Sequence, residues 1–64
     1  MRIHLNAARV NAQLTQKEAA KLLGISKTTL ASYEAYCTKP SIEMAKKMSA
    51  LYGLSVDNLI FFAE

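Results

Sequence analysis

The chain has 64 residues, of which 52% are hydrophobic, and it contains only two glycines and one proline. This length allows one small domain, and this composition is typical of a folded helical protein and excludes a disordered one. Eight Lys and Arg residues outnumber five Asp and Glu residues, and the resulting net charge of +3 favours a polyanionic partner.

Several other classes of protein are disfavoured by the residue content. The only cysteine, Cys37, cannot form an internal disulfide and is typical of a reducing compartment. The N-terminus lacks the apolar core of a signal peptide, and no apolar run approaches the roughly 20 residues of a membrane span. One histidine, His4, and the absence of Cys/His clusters or glycine-rich phosphate loops predict no enzyme activity, no cofactor and no metal site. We therefore expect a non-catalytic cytoplasmic protein.

The first three helices are predicted from apolar spacing and capping residues. A first helix is expected from about residue 4 to residue 12. Its inner stripe consists of Leu5, Ala8 and Ala12. Residues 15–18, Thr-Gln-Lys-Glu, form a capping box that opens a second helix, and Gly24 ends it because a helix end favours φ > 0. Ser26 is a second N-cap residue, and it predicts a third helix over residues 27–34.

The second half of the chain predicts two more helices. Residues 36–39 form a loop, and Pro40 suits the opening of a fourth helix that extends to about Tyr52. Its expected inner face consists of Ile42, Ala45, Met48, Leu51 and Tyr52. Gly53 ends this helix, and a final helix follows over residues 56–62. The prediction is a compact all-α domain of five helices, and strands are not expected because no sustained alternation occurs.

The segment from Leu14 to Glu34 pairs two short helices across a tight glycine turn, which is the layout of a helix-turn-helix. The landmarks are Leu14-Thr15-Gln16, Glu18, Ala20, Leu23-Gly24, Ile25-Ser26, Leu30, Tyr33-Glu34, Pro40-Ser41 and Gly53-Leu54-Ser55. In this spacing the chain resembles the Cro/repressor-type (XRE-like) helix-turn-helix family of phage repressors and bacterial regulators. The resemblance covers about Leu5 to Phe61 and implies that residues 1–64 form a single DNA-binding domain.

The resemblance implies that the third helix, about residues 27–35, enters the major groove and contacts base edges with its N-terminal residues. The base contacts carried over are Ser26, Lys27, Thr28 and Ser32. Lys27 is suited to guanine O6 and N7, and Thr28 can donate a hydrogen bond or place its methyl group against a thymine methyl. The alternative is a polar helix face that contacts only solvent.

A second set of residues is expected at the DNA backbone. The phosphate contacts carried over are Arg9, Gln16, Lys17, Thr29 and Lys39. Gln16 stands at the start of the second helix, where its amide and the exposed backbone N–H groups suit an anion, and it can also brace the reading helix. Thr29 faces either the protein or a phosphate. Lys17 and Lys39 are either phosphate contacts on the two sides of the groove or ordinary surface charges.

The family resemblance also implies an ion pair between Arg9 and Glu34. The pair would tie the first helix to the end of the reading helix and leave guanidinium donors for phosphate. Two unrelated surface charges are the alternative. The chain departs from the family pattern at Gln13 and Tyr36, which replace frequent glycines. If the backbone at Tyr36 still needs φ > 0, the side chain costs about 1 kcal/mol; otherwise the loop is rebuilt.

Three adjacent apolar residues near the C-terminus, Ile60, Phe61 and Phe62, cannot all face one small core from a helix. Either one or two pack inside and the rest are incidental, or the remainder form a homodimer patch. The predicted function is a sequence-specific regulator of transcription that binds double-stranded DNA, a repressor acting by operator occupancy. The alternative is an antitoxin-like or other protein-interaction module that uses the same fold.

Overall fold

The computed structural model describes residues 2–62 of the chain. Its elements in chain order are β1 (Ile3–His4), α1 (Leu5–Asn11), α2 (Gln16–Leu23), α3 (Lys27–Glu34), α4 (Ile42–Tyr52), a 3-10 turn (Val56–Asn58) and β2 (Leu59–Ile60). The described part is therefore mostly helical, with four α-helices and one small pair of strands.

Three of the four helices begin at a hydroxyl side chain that caps the first turn. The hydroxyl of Thr15 accepts from the amide of Glu18 at 3.1 Å, and the Glu18 carboxylate accepts from the amide of Thr15 at 2.9 Å. Hydrogen bonding of this carboxylate to Thr15, first with its backbone amide and then with its side chain, holds the pKa of Glu18 below its usual value. Ser26 and Ser41 cap α3 and α4 in the same way. Local hydrogen bonds thus fix where each of these helices starts.

The core lies where the four helices and the strand pair meet. It consists of Leu5, Ala8, Ala19, Ala20, Leu23, Leu30, Met48, Tyr52 and Leu59. Leu5, Leu30 and Met48 have no exposed surface. Leu30 is the one fully buried residue of α3. Full burial of one such side chain stabilises the fold by about 1.5–3 kcal/mol, so Leu30 anchors α3 while most of the helix stays near the surface.

The predicted fifth helix over residues 56–62 is wrong, and so is the expectation that strands are absent. After the 3-10 turn, β2 pairs in parallel with β1, with Ile3 opposite Leu59 and His4 opposite Ile60. This pairing satisfies backbone groups of both chain ends and buries Leu59 and Ile60 together. A helix over the same residues would have turned part of this apolar run away from the core.

The start of α4 also differs from the prediction. Pro40 precedes the helix, because Ser41 is the N-cap residue and Ile42 is the first helical residue. Ile42 was predicted on the inner face, but it is 77% exposed. The buried residues of α4 are Ala45, Met48 and Tyr52. At 100° per residue, Ile42 lies about 90° from the middle of that buried face, and Leu51 lies about 90° away on the other flank.

The two residues that replace glycines keep the left-handed backbone conformation, with φ of 62° at Gln13 and 61° at Tyr36. The loops are therefore not rebuilt, and each residue accepts a cost of about 1 kcal/mol. At Tyr36 a further contact offsets part of this cost, because its hydroxyl is hydrogen-bonded to Nδ1 of His4. The bond joins the end of β1 to the loop that follows α3.

Candidate nucleic-acid interface

The turn between α2 and α3 sets the direction in which α3 leaves the core. Gly24 adopts φ of 75°, and no atom lies within 4 Å of the position that a Cβ would take. Backbone conformation alone therefore favours glycine here. The amide of Ile25 donates to the carbonyl of Ala20 at 3.0 Å and closes the turn. The N-terminus of α3 is thus held beside the C-terminus of α2.

The outward face of α3 begins with polar side chains. Lys27 and Thr28 are exposed, and Ser32 is half-buried. At 100° per residue, Thr28 and Ser32 share a face that lies about 160° from Leu30, the residue that anchors the helix. The two side chains therefore project away from the core, and Lys27 is exposed at the first position of the helix, about 100° around it from Thr28. This face can enter a groove without disturbing the packing of the domain.

The hydroxyls of Ser26 and Thr29 contact each other. The Ser26 hydroxyl accepts from the amide of Thr29 at 3.1 Å and shares a 2.8 Å hydrogen bond with the Thr29 hydroxyl. Ser26 was predicted at a base and Thr29 at the protein or a phosphate. The structure engages both in capping α3, and it leaves Lys27 and Thr28 as the more available side chains at this end of the helix.

The other end of α3 is held by a network around the buried carboxylate of Glu34. Arg9 Nε donates to Glu34 Oε2 at 2.7 Å, and Arg9 Nη2 donates to Oε1 at 3.3 Å. Gln16 Nε2 also donates to Oε1, at 2.9 Å, and Arg9 Nη1 donates to the carbonyl of Leu14 at 2.9 Å. The network joins α1, the start of α2 and the end of α3 at one carboxylate. A bidentate arginine pair adds geometric specificity to the attraction between the charges.

This network limits what Arg9 and Gln16 can offer to a phosphate. The Arg9 side chain is only 14% exposed, and the Glu34 side chain is 6% exposed. Three of the five guanidinium N–H donors of Arg9 are used within the protein. The amide nitrogen of Gln16 is likewise engaged with Glu34. Both side chains therefore brace α3, and any phosphate contact from them would use the donors that remain.

The lysines predicted at the DNA backbone have different surroundings. Lys17, near the start of α2, is exposed, and so is Lys39 in the loop between α3 and α4. The ammonium group of Lys39 lies 4.8 Å from the centre of the Phe62 ring, within range of a cation–π contact. Phe62 therefore lies next to the loop that follows α3.

The three residues of the predicted dimer patch do not stay together on the surface. Ile60 is buried in β2, with 8% of its surface exposed, and Phe61 packs partly against the core. Phe62 remains 49% exposed. One aromatic ring is therefore left at the surface, beside Lys39, once the core is filled.

Comparison with known proteins identifies the family. The family described as Helix-turn-helix matches residues 5–59 of the chain. The chain belongs to this family. The match confirms the resemblance that the spacing of the landmarks predicted, and it covers α1 to α4 and the start of β2 of this helix-turn-helix protein.

The helix-turn-helix protein is similar to several regulators. The HTH-type transcriptional regulator ImmR of Bacillus subtilis (strain 168) is 41% identical over 56 residues, which are 88% of this chain and 44% of ImmR. The cryptic phage CTXphi transcriptional repressor RstR of Vibrio cholerae is 32% identical over 56 residues, which are 88% of this chain and 50% of RstR. The chain thus spans about half the length of these two relatives. No solved structure matches it significantly.

Two further observations concern other kinds of site. Within residues 2–62, no three side chains of His, Cys, Asp or Glu are grouped as metal ligands would be. In the same part of the chain, no helix is long and apolar enough to cross a membrane. His4 is engaged with the Tyr36 hydroxyl, and Cys37 is an exposed free thiol.

Tyr52 is a residue of the helix-turn-helix protein whose surroundings the sequence did not reveal. It was predicted only as part of the inner face of the fourth helix. Its hydroxyl is buried and has no hydrogen-bond partner among the described residues. Burial, and then the charge of Glu34, raise the pKa of Tyr52 to about 12, while Arg9 acts in the opposite direction. Tyr52 therefore lies close enough to the Arg9–Glu34 pair to feel its charges, a proximity that no local pattern indicates.

We expect Tyr52→Phe to raise the free energy of unfolding at neutral pH by about 1 kcal/mol, because it removes a buried hydroxyl that lacks a partner. The wild type should also lose stability between about pH 10, the ordinary tyrosine value, and pH 12, since the folded state holds the proton more tightly than the unfolded state. Below pH 10 this contribution is fully present. Urea unfolding at several alkaline pH values measures both effects.

The control for this prediction is Tyr33→Phe, which changes a half-buried tyrosine of α3. This variant should keep the alkaline loss that Tyr52→Phe removes. A Tyr52→Phe protein that is less stable than the wild type at neutral pH would mean that the hydroxyl is satisfied, contrary to our account.

Proposed function

We propose that the chain is a sequence-specific regulator of transcription that binds double-stranded DNA with α3 in the major groove. The observation that carries this proposal is that α3 is held at two points, in its middle and at its C-terminal end. Leu30 anchors the helix in the core, and Glu34 ties its end to Arg9 and Gln16. The helix is thus rigid while its polar face points outward, as direct reading of bases requires.

Within this proposal Lys27 and Thr28 are the main base contacts, since both are exposed at the N-terminal end of α3. Ser32 adds a base contact from the next turn of α3. Ser26 caps the helix, so it can contact a base only with the hydrogen-bonding capacity that the cap does not use. Lys17 and Lys39 place positive charge near phosphates on the two sides of the groove. Arg9, Gln16 and Thr29 contribute further phosphate contacts through the hydrogen-bond donors that they do not use within the protein. Base contacts specify the sequence, and phosphate contacts position the protein.

We further infer that the protein represses transcription by occupying an operator. RstR is named a transcriptional repressor and ImmR a transcriptional regulator, and the similarity to each covers 88% of this chain. A small domain that covers a promoter sequence needs no catalytic step to exclude polymerase. Such a regulator acts in the compartment that holds the DNA, which in a bacterium is the cytoplasm.

Selection of bound duplexes from a random oligonucleotide pool tests the proposal. We expect one consensus sequence to emerge, containing a guanine whose replacement is tolerated by a Lys27→Ala protein. A pool that shows no enrichment would contradict DNA binding. In that case a stable complex with another protein, formed without DNA, would favour the protein-interaction module instead.

We also propose that two copies pair, at least on DNA, through a surface that contains Phe62. Phe62 is the residue of the apolar run 60–62 that stays exposed. Its contact with Lys39 places it beside the loop that follows α3. Two-fold pairing there would hold two α3 helices about 34 Å apart, one turn of DNA. A palindromic consensus in the selection would support this arrangement.

We expect Phe62→Ser to weaken both self-association and operator binding while the helical content stays unchanged, because Phe62 lies outside the core. Sedimentation of the wild type and the variant, alone and with operator DNA, measures the effect. Val10→Ser is the matched control, since Val10 is 62% exposed on α1. A wild-type monomer that binds one half-site without cooperativity would contradict the dimer, but it would leave DNA binding intact.

A further inference from the structure

An apolar groove that DNA binding does not use lies between the C-terminal end of α2 and the outer flank of α4. Its volume is about 560 Å³. It is lined by Lys21, Leu22, Leu23, Gly24, Lys47, Ala50 and Leu51. Five of these residues are apolar or glycine, and the other two are lysines, one from α2 and one from α4. Leu23 belongs to the core, but neither the core nor the proposed DNA interface accounts for exposed Leu22 and the two lysines.

Leu22 is the most unusual residue of the groove. It is 64% exposed, although its neighbour Leu23 is buried in the core. At 100° per residue, Leu22 lies about 140° around α2 from Lys17, the residue of this helix that we place at a phosphate. Leu22 itself therefore projects from a different side of α2, while Lys21 at the edge of the groove lies only about 40° around the helix from Lys17.

The charges of the groove indicate what could cover it. Lys21 and Lys47 are both exposed, and they come from different helices. Among residues 2–62, Arg9 and Glu34 form an ion pair, and neither Lys21 nor Lys47 takes part in it. The two lysines are therefore available to an anionic partner. Leucine and alanine side chains do not suit a nucleic-acid backbone, whereas leucines combined with two cations suit a peptide that carries both apolar and acidic side chains.

We propose that this groove binds an acidic amphipathic segment of another protein. A leucine- or phenylalanine-sized side chain of the segment covers Leu22 and Leu51, and its flanking carboxylates pair with Lys21 and Lys47. Leu22, which the apolar side chain of the segment would cover, lies about 140° around α2 from Lys17, so its burial does not compete with that proposed phosphate contact. The proposal does not depend on the identity of the DNA site.

A second copy of the chain is the competing occupant. Exposed Ile42 followed by Glu43 offers an apolar and an acidic side chain in sequence. That contact would join two different surfaces, however, and a head-to-tail contact of this kind forms open chains or rings and not a two-fold dimer. We therefore assign the groove to a different protein and treat self-association as an outcome that would overturn the proposal.

The probe for the test is a displayed library of random linear peptides, selected against the full chain. We expect the enriched peptides to combine a large apolar residue with neighbouring Asp or Glu. A synthetic copy of an enriched peptide should shift the amide resonances of residues 21–24 and 47–51. Leu22→Ser and Lys47→Glu should each weaken its binding on the order of tenfold, as loss of a central contact does.

Matched controls separate the groove from general surface effects. Ile42→Ser removes an equally exposed apolar side chain elsewhere, and Lys46→Glu makes the same charge change beside Lys47; both should leave peptide affinity unchanged. Leu22→Ser should keep its helical content and its DNA affinity. The proposal is overturned if no acidic peptide is enriched, if Leu22→Ser binds the peptide like the wild type, or if Leu22 instead mediates self-association in sedimentation.

Discussion

Replacing Glu34 by glutamine is expected to lower the free energy of unfolding by about 3–5 kcal/mol, the usual cost of breaking a buried ion pair from one side. The carboxylate is 6% exposed, and it accepts two hydrogen bonds from Arg9 and one from Gln16. The amide nitrogen of a glutamine at position 34 is a donor, and it would face the N–H donors of Arg9 and Gln16 that the carboxylate now accepts from. The partly buried charge of Arg9 would lose its counter-charge.

The loss is large relative to the whole stability of the domain, which for 64 residues is about 3–10 kcal/mol. Urea unfolding followed by circular dichroism at low temperature measures it. Glu43→Gln, which alters an exposed carboxylate on α4, is the control and should change stability by less than about 0.5 kcal/mol. A variant in which methionine replaces both Arg9 and Glu34 should be more stable than Glu34→Gln, because no unpaired charge remains. Equal stability of Glu34→Gln and the wild type would refute the bracing of α3.

Replacing Lys27 by alanine is expected to weaken binding to the preferred duplex by about 1–3 kcal/mol and to relax the preference at one base pair. Lys27 is exposed at the first position of α3, and its removal leaves the core untouched. The affinity for a scrambled duplex should fall much less, because that complex uses phosphate contacts. The informative quantity is the ratio of the two affinities, measured for the variant and for the wild type.

Two further lysine variants define the comparison. Lys39→Ala should weaken binding to the preferred and scrambled duplexes about equally, as loss of a phosphate contact does. Lys46→Ala removes the same charge from the exposed outer side of α4 and should change neither affinity beyond a general electrostatic effect. If Lys27→Ala leaves the affinity ratio unchanged, direct readout belongs to another residue of α3.

The parts of the fold that local chemistry determines were predictable from the sequence. The capping box at Thr15 and Glu18, the N-cap residue Ser26 and the glycine end at Gly24 each act within a few residues, and they fix the helix-turn-helix. The C-terminal end was not predictable in this way. β2 forms because Leu59 and Ile60 pair with the opposite end of the chain, and a two-residue strand shows no alternation that could indicate it.

The candidate site shows the same division. Lys27 and Thr28 follow from their place after an N-cap residue, and the Arg9–Glu34 contact was expected from the family resemblance. The hydroxyl of Tyr52 near that pair, and the position of Phe62 against Lys39, depend on how distant segments pack together. Hydrophobic spacing reports which face of a helix is buried, but it does not report which buried polar group faces which charge.

The central claim is sequence-specific binding of duplex DNA, and the most direct test is a titration of the wild type with the selected duplex and its scrambled counterpart at several salt concentrations. We predict tighter binding to the selected duplex at every salt concentration. We also predict that log K falls with log salt at a slope of about 3–5 per protomer, as expected if that many phosphates are neutralised. Equal affinity for the two duplexes, a flat slope, or no detectable binding would contradict the account.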